Sequence, residues 1–253
     1  MTAHVLPGAE PFSAPGGPHG ALVLHGFTGT PQSMRGLAEA FARAGYTTEL
    51  PRLPGHGTSV EDMTATSWTD WAGAADVAYS DLAARCDKVV VAGLSMGATI
   101  AAWLALRHRE IAGLVVINGA VAAGPDIEAM RDGLRQLIDA GTVCMPGPGN
   151  DIADPTQTEL AYDQAPVAGM LSLLDALVEI EARSSEITCP VLLLSSPQDH
   201  VVPPESSDLF AAAVSGPVTR ITLERSFHVA TLDYDKELIE REAVAFAQLV
   251  FIA

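Results

Sequence analysis

Val89-Val90-Val91-Ala92-Gly93-Leu94-Ser95-Met96-Gly97-Ala98-Thr99-Ile100 runs from a short apolar stretch, through a Gly-x-Ser-x-Gly turn, into a helical pattern that continues to His108. Four consecutive apolar residues suit a strand buried on both faces. The two glycines let the chain bend sharply with no Cβ to clash, so the serine hydroxyl is presented in a strained pose at the positive end of the following helix. A strand, a tight turn and a helix around one serine read as a nucleophile elbow. The flanking pattern separates this reading from a plain Gly-rich αβ turn.

The same rhythm continues on either side. Residues 21–24 are a buried strand ending in His25-Gly26, and 33–44 carry helical spacing in Met34, Leu37, Ala38 and Phe41, stopped by Gly45. A strand over 47–50 runs into the Pro/Gly loop 51–57. Ser67 is placed to cap a helix over 68–85, with Trp68, Trp71, Ala75, Ala78 and Leu82 along one stripe. Strands over 88–92 and 114–118 follow, and after residue 186 strands over 191–195 and 219–223 alternate with helices over 205–214 and 235–251. Regular β, α, β, α order with near-continuous apolar strands predicts an α/β fold, a mostly parallel sheet with helices on both faces. The Pro/Gly-rich segment 8–20 reads as an extended loop rather than a strand pair. Residues 119–186 break the rhythm: two amphipathic helices, over 127–140 and 167–182, flank a Gly/Pro/Asp-rich stretch with no buried strand. An insertion there is expected to form a cap within a single domain of residues 1–253.

Composition narrows the functional classes. At 253 residues with 48% apolar content, the chain has enough material for one core without disulfides or metal. Cys86, Cys144 and Cys189 are odd in number and widely spaced, which suits a reducing compartment and suggests no zinc site. A formal charge of −17 argues against nucleic acid as a partner. With no leader-like N-terminus and no stretch long enough to span a bilayer, a soluble, cytoplasmic protein is expected, with no stable membrane insertion. Oligomeric state stays open.

A serine hydroxyl attacks well only when a base takes its proton, and the base needs a carboxylate to hold its tautomer. Among seven histidines, His228 follows the strand over 219–223 after a short loop, which puts it at the sheet edge where the serine turn emerges. His108 reads as a helix C-terminal partner, His4 and His19 as solvated, and His56 as structural support. His200, next to the acid, could line the site. Asp199 follows the strand over 191–195 across Ser196-Pro197-Gln198, giving the chain order Ser, Asp, His that this architecture requires. Asp208, Asp233 and Asp235 fit helix capping better. Two backbone amides are expected to hold a tetrahedral oxyanion: Met96 at the start of a helix, and Phe27 in the loop His25-Gly26-Phe27-Thr28-Gly29.

On these motifs, with Pro54-Gly55-His56-Gly57 and the segment 227–233, the chain resembles the α/β-hydrolases, and within them the small bacterial carboxylesterases and monoacylglycerol lipases. The resemblance covers nearly the whole length and implies nucleophile Ser95, acid Asp199, base His228 and oxyanion donors Phe27 and Met96. It implies two-step hydrolysis of a small-molecule acyl ester without metal or organic cofactor, a cap over 119–186, and a sheet lacking the antiparallel strands of longer relatives. Related enzymes have glycine where Phe227 stands, so a bulky residue beside the base is expected to narrow the site or shift the imidazole. Met130, Leu134, Leu137, Ile138, Met170, Leu171 and Leu174 either line an acyl tunnel or pack the cap. A thioesterase, peptidase or C–C hydrolase using the same triad remains an alternative, as does a non-catalytic lipid-binding module. Dehalogenases and epoxide hydrolases place aspartate where Ser95 stands.

Overall fold

In the computed structural model, which describes residues 4–252, the serine turn lies at the C-terminal end of β4 (Lys88–Leu94), the central strand of a seven-stranded sheet. On one side lie β2 (His19–Leu24), β3 (Thr47–Leu50) and β1 (Phe12–Ala14); on the other lie β5 (Gly113–Ile117), β8 (Val191–Ser195) and β9 (Val218–Thr222). The order is β1-β3-β2-β4-β5-β8-β9, and every pairing except β1 with β3 is parallel. Chain order reverses between β2 and β4. In an open α/β sheet such a switch point leaves a crevice at the carboxyl ends, and the loop after β2 and the turn after β4 flank it.

Alternation along β4 shows how the sheet is covered. Val89 and Val91 join a core containing Trp71, Tyr79 and Leu82 of α3 (Trp68–Ala83), most of α4 (Met96–Arg107), and Phe210 of α7 (Glu205–Ala213). Val90, Ala92 and Leu94 point the other way, to Leu37, Ala38 and Phe41 of α1 (Arg35–Arg43) and to Ile239, Ala243 and Ala247 of α8 (Lys236–Ile252). Period-two side chains buried on both faces explain why the strands read as unbroken apolar runs. Helices cover both faces of the central strands, as expected. Ser67 caps α3 as expected, and its N–H and hydroxyl both meet the Asp70 carboxylate, at 2.9 and 3.0 Å.

Three expectations are corrected. Segment 8–20 is not all loop: Phe12, Ser13 and Ala14 pair antiparallel with Leu50, Glu49 and Thr48, and His19-Gly20 begins β2. Three residues are too few for a period-two signal, and the pairing comes from the free edge of β3. The sheet therefore does carry one antiparallel strand. Within the insertion, where no buried strand was expected, β6 (Cys144–Pro146) and β7 (Gln164–Pro166) form a small, partly exposed antiparallel ladder. His19 is half-buried rather than free in solvent, stacked on Phe251 with centroids 4.5 Å apart. A short helix, α2 (Val60–Thr64), follows the Pro/Gly loop and is capped by Ser59. The insertion's own helices, α5 (Ile127–Asp139) and α6 (Val167–Arg183), pair through Ile127, Leu134, Val167, Leu174 and Leu177.

Candidate active site

Ser95 occupies φ 54°, ψ −119°, a region that L-residues enter only under strain of about 1–3 kcal/mol. What holds it there is the crowding around its glycines. A Cβ on Gly97 would lie 2.3 Å from the Leu24 carbonyl oxygen, and one on Gly93 would lie 2.2 Å from the Gly97 backbone. The Ser95 amide donates to the Ile117 carbonyl at 3.1 Å, tying the turn to β5. Two other non-glycine residues among those described have positive φ, Thr28 and Asn118. Both lie at the same sheet edge, after β2 and β5, so the strained backbone is confined to the crevice.

His228 is immobilised at every group but one. Its Nδ1 meets Asp199 Oδ2 at 2.8 Å, in a pair whose side chains are almost fully buried. The other Asp199 oxygen accepts from the amides of Val201 and Val202, both at 2.8 Å. The His228 carbonyl accepts from Asn118 Nδ2 at 2.8 Å, and the His228 amide donates to Asp151 Oδ2 at 3.0 Å. Nε2 is left to face the cavity that Ser95 and His228 line together. No hydrogen bond joins the Ser95 hydroxyl to the imidazole; such contacts commonly tighten only with substrate in place. Asn118, the last residue of the strand expected over 114–118, also holds Ser196 through its amide at 2.8 Å and its hydroxyl at 3.0 Å. Neither Asn118 nor Asp151 carries a motif, and both were missed for that reason.

The loop after β2 is built on His25. Its Nδ1 lies 3.0 Å from the Gly26 carbonyl and its Nε2 accepts from the Leu53 amide, a pair of contacts that only the neutral Nδ1–H tautomer satisfies. Burial, reinforced by the charge of Arg52, pushes its pKa down to about 4, against the opposing bond to Gly26. His56 packs edge-on against His25 and Trp71 and is driven well below the ordinary value by burial and then by His25. It is structural support, as expected. The loop abuts the turn: a Cβ on Gly26 would stand 3.5 Å from the Ser95 Cβ. Phe27 lines the cavity, and its amide makes no hydrogen bond among the described residues. Met96 is the first residue of α4, where an N–H has no partner within the helix.

The cavity has a volume of about 600 Å³ and a predominantly apolar wall, within the range typical of small-molecule sites. Of the seven insertion residues singled out above, Met130, Met170 and Leu174 line it, joined by Ile127, Met145 and Leu177. Leu134, Leu137 and Leu171 instead pack α5 against α6. Glu159, unremarked in the sequence, is a carboxylate in this wall; burial raises it to about 6, while His228 and the Ser33 hydroxyl act in the opposite direction. Phe227 does not narrow the cavity. Its ring turns outward against His200, with centroids 4.6 Å apart. His200 is exposed and pairs with Asp151 at 2.8 Å rather than lining the site. His108 meets Asp76 at 2.5 Å at the end of α4, the expected structural role. No cluster of His, Cys, Asp or Glu suited to a metal ion occurs among the described residues, and none of their helices is long and apolar enough to cross a membrane.

Residues 18–235 match the family described as serine aminopeptidase, S33. The chain belongs to this family. The hydrolase is 44% identical over 245 residues to a thermostable monoacylglycerol lipase of Bacillus sp. (strain H-257), covering 96% of this chain and 95% of that one. It superposes with a TM-score of 0.90 and 41% identity on a solved structure from the metagenome-derived lipolytic enzymes LipS and LipT, over 97% of this chain and 99% of that one. A monoacylglycerol lipase from Paleococcus ferrophilus shares the fold, with a TM-score of 0.79 at 18% identity over 99% of this chain and all of the other. The protein is thus a serine hydrolase of the α/β-hydrolase fold.

Proposed function

We propose that the hydrolase cleaves carboxylic esters of apolar acyl chains, monoacylglycerols among them, with Ser95 as nucleophile, His228 as general base and Asp199 as its carboxylate partner. Ser95 Oγ attacks the ester carbonyl as His228 Nε2 takes its proton, and the Nδ1 contact with Asp199 stabilises the imidazolium. The amides of Phe27 and Met96 receive the negative oxygen, where each such donor is worth about 3 kcal/mol. The intermediate collapses as His228 returns its proton to the departing alcohol. Water, deprotonated by the same imidazole, then attacks the acyl-serine and frees the acid. Residues 119–186 serve as the cap, supplying one wall of the acyl site through Ile127, Met130, Met145 and Leu174.

The apolar cavity opening directly on Ser95 carries this reading, because a peptide substrate would need polar partners for its amide groups and this wall offers few. Relatives described as a monoacylglycerol lipase and as lipolytic enzymes support it. Glu159 is a carboxylate in the same wall as Ser95 and His228, and in this reading it accepts a hydroxyl of the leaving alcohol. The deciding experiment runs p-nitrophenyl esters of rising chain length beside monoacylglycerols and aminoacyl amides. Ester turnover that is lost in Ser95→Ala, together with loss of fluorophosphonate labelling, is expected. Amide turnover without ester turnover overturns the proposal.

A further inference from the structure

The segment that carries His228 lies between β9 and α8 and has no regular secondary structure to fix it. Its position is set by side chains from elsewhere, and two of these come from the insertion or reach into it. Asp151, in the insertion, accepts the His228 amide at 3.0 Å and the His200 amide at 3.2 Å on one oxygen, while His200 Nδ1 lies 2.8 Å from the other. Its own carbonyl accepts from the Val229 amide at 3.0 Å. Asp233, fully buried in the segment that carries His228, accepts from the amides of Ala153, Asp154, Phe227 and Tyr234 at 2.7–3.0 Å. Residues 151–154 and 227–234 are therefore joined in both directions by carboxylates accepting main-chain N–H groups. Of these two carboxylates, Asp151 and Asp233, it is Asp151 that bonds to the histidine itself.

We propose that Asp151 is a positioning residue for the general base: it fixes the His228 main chain from the insertion side while Asn118 fixes it from β5, so that the Asp199 contact aims Nε2 at the serine. The inference rests on the assignment of His228 as base. Asp151 acts here by placement rather than by charge, since the atom it holds is a neutral amide. His200 and Phe227 form the outer brace of this mount, with the His200 imidazole bonded to Asp151 and in edge contact with Phe227. This gives a bulky residue at position 227 a use outside the cavity.

The test compares Asp151→Ala, Asp151→Asn and Asp151→Glu in the full chain, with active sites titrated by a fluorophosphonate burst so that rates refer only to competent, folded enzyme. Asparagine keeps an acceptor in place and can offer its amide N–H to the His200 ring; glutamate keeps the charge but moves the acceptor by one methylene. The expected outcome is a kcat about tenfold to a hundredfold lower in Asp151→Ala and Asp151→Glu, with KM within about twofold. Asp151→Asn is expected to stay near wild type. The low-field Hδ1 resonance of His228 should broaden in Asp151→Ala and Asp151→Glu and persist in Asp151→Asn. Wild-type kcat in titrated Asp151→Ala, or an Asp151→Asn as impaired as Asp151→Ala, overturns the proposal. If Asp151→Ala does not fold, the Asn and Glu pair decides alone. Absence of any burst in the wild type would instead refute the serine mechanism beneath it.

Discussion

Lowering the pH is expected to loosen this protein from beneath the loop after β2, because His25 is held neutral by contacts that its protonated form cannot keep. Its Nε2 accepts from the Leu53 amide, so a proton there would confront an N–H and remain unsolvated. Burial is the first cause of the fall from 6.5 to about 4. A native pKa below the unfolded one means that the unfolded chain binds the proton first. Stability is then fully present above pH 6.5 and is lost as pH falls through 6.5 towards 4. By pH 5 the loss from His25 alone is about 2 kcal/mol, and below pH 4 it reaches about 3 kcal/mol. His56, shifted in the same direction by the same cause, adds to it. The assay is urea unfolding of the wild type and His25→Gln at pH 7.5 and 5.0. The difference between the two proteins cancels the titration of the acidic residues they share. His25→Gln is expected to lose about 2 kcal/mol less than the wild type over that interval. Parallel pH dependence in the two proteins, or an imidazole that titrates near 6.5 by NMR, would refute the reasoning.

Gly97→Ala brings a Cβ to 2.3 Å from the Leu24 carbonyl, a backbone atom that cannot swing aside; destabilisation of about 3 kcal/mol and loss of esterase activity are expected, read by urea midpoint and p-nitrophenyl ester turnover. Asn118→Leu strips hydrogen bonds from the Ser196 amide and from the carbonyls of Phe227 and His228 and places a branched chain at φ 41°. A stability loss of about 3 kcal/mol is expected, with kcat falling more than KM; an unchanged kcat would show that the β5 side of the mount is dispensable. Glu159→Gln is expected to lower kcat/KM for a monoacylglycerol about tenfold relative to the p-nitrophenyl ester of the same acid, the worth of one charge-assisted hydrogen bond. In the wild type that preference grows as pH rises through about 6, where Glu159 becomes the carboxylate.

Local sequence determined a good deal here, because some chemistry is encoded within a few residues. Gly93 and Gly97 report a backbone crossing that tolerates no Cβ, and continuous apolar strands report burial on two faces; both are properties of neighbouring positions, legible without a partner. Order along the chain was enough to single out Asp199 and His228, since parallel strands deliver their following loops to one edge, and the structure brings these two into contact at 2.8 Å. What tertiary structure alone decided are the partners that arrive from far away. Asn118 lies 110 positions before the carbonyl it holds, and Asp151 lies 77 before the amide it accepts. β1 is a strand only because β3 offers an unpaired edge, and Glu159 is set apart from a solvated carboxylate by the burial that raises it. A hydrogen bond to a main-chain group leaves no mark on the sequence at either end, because every residue but proline has the same N–H and each has the same C=O to offer. For that reason the side chains proposed to react could be read from the sequence, and those proposed to aim them could not.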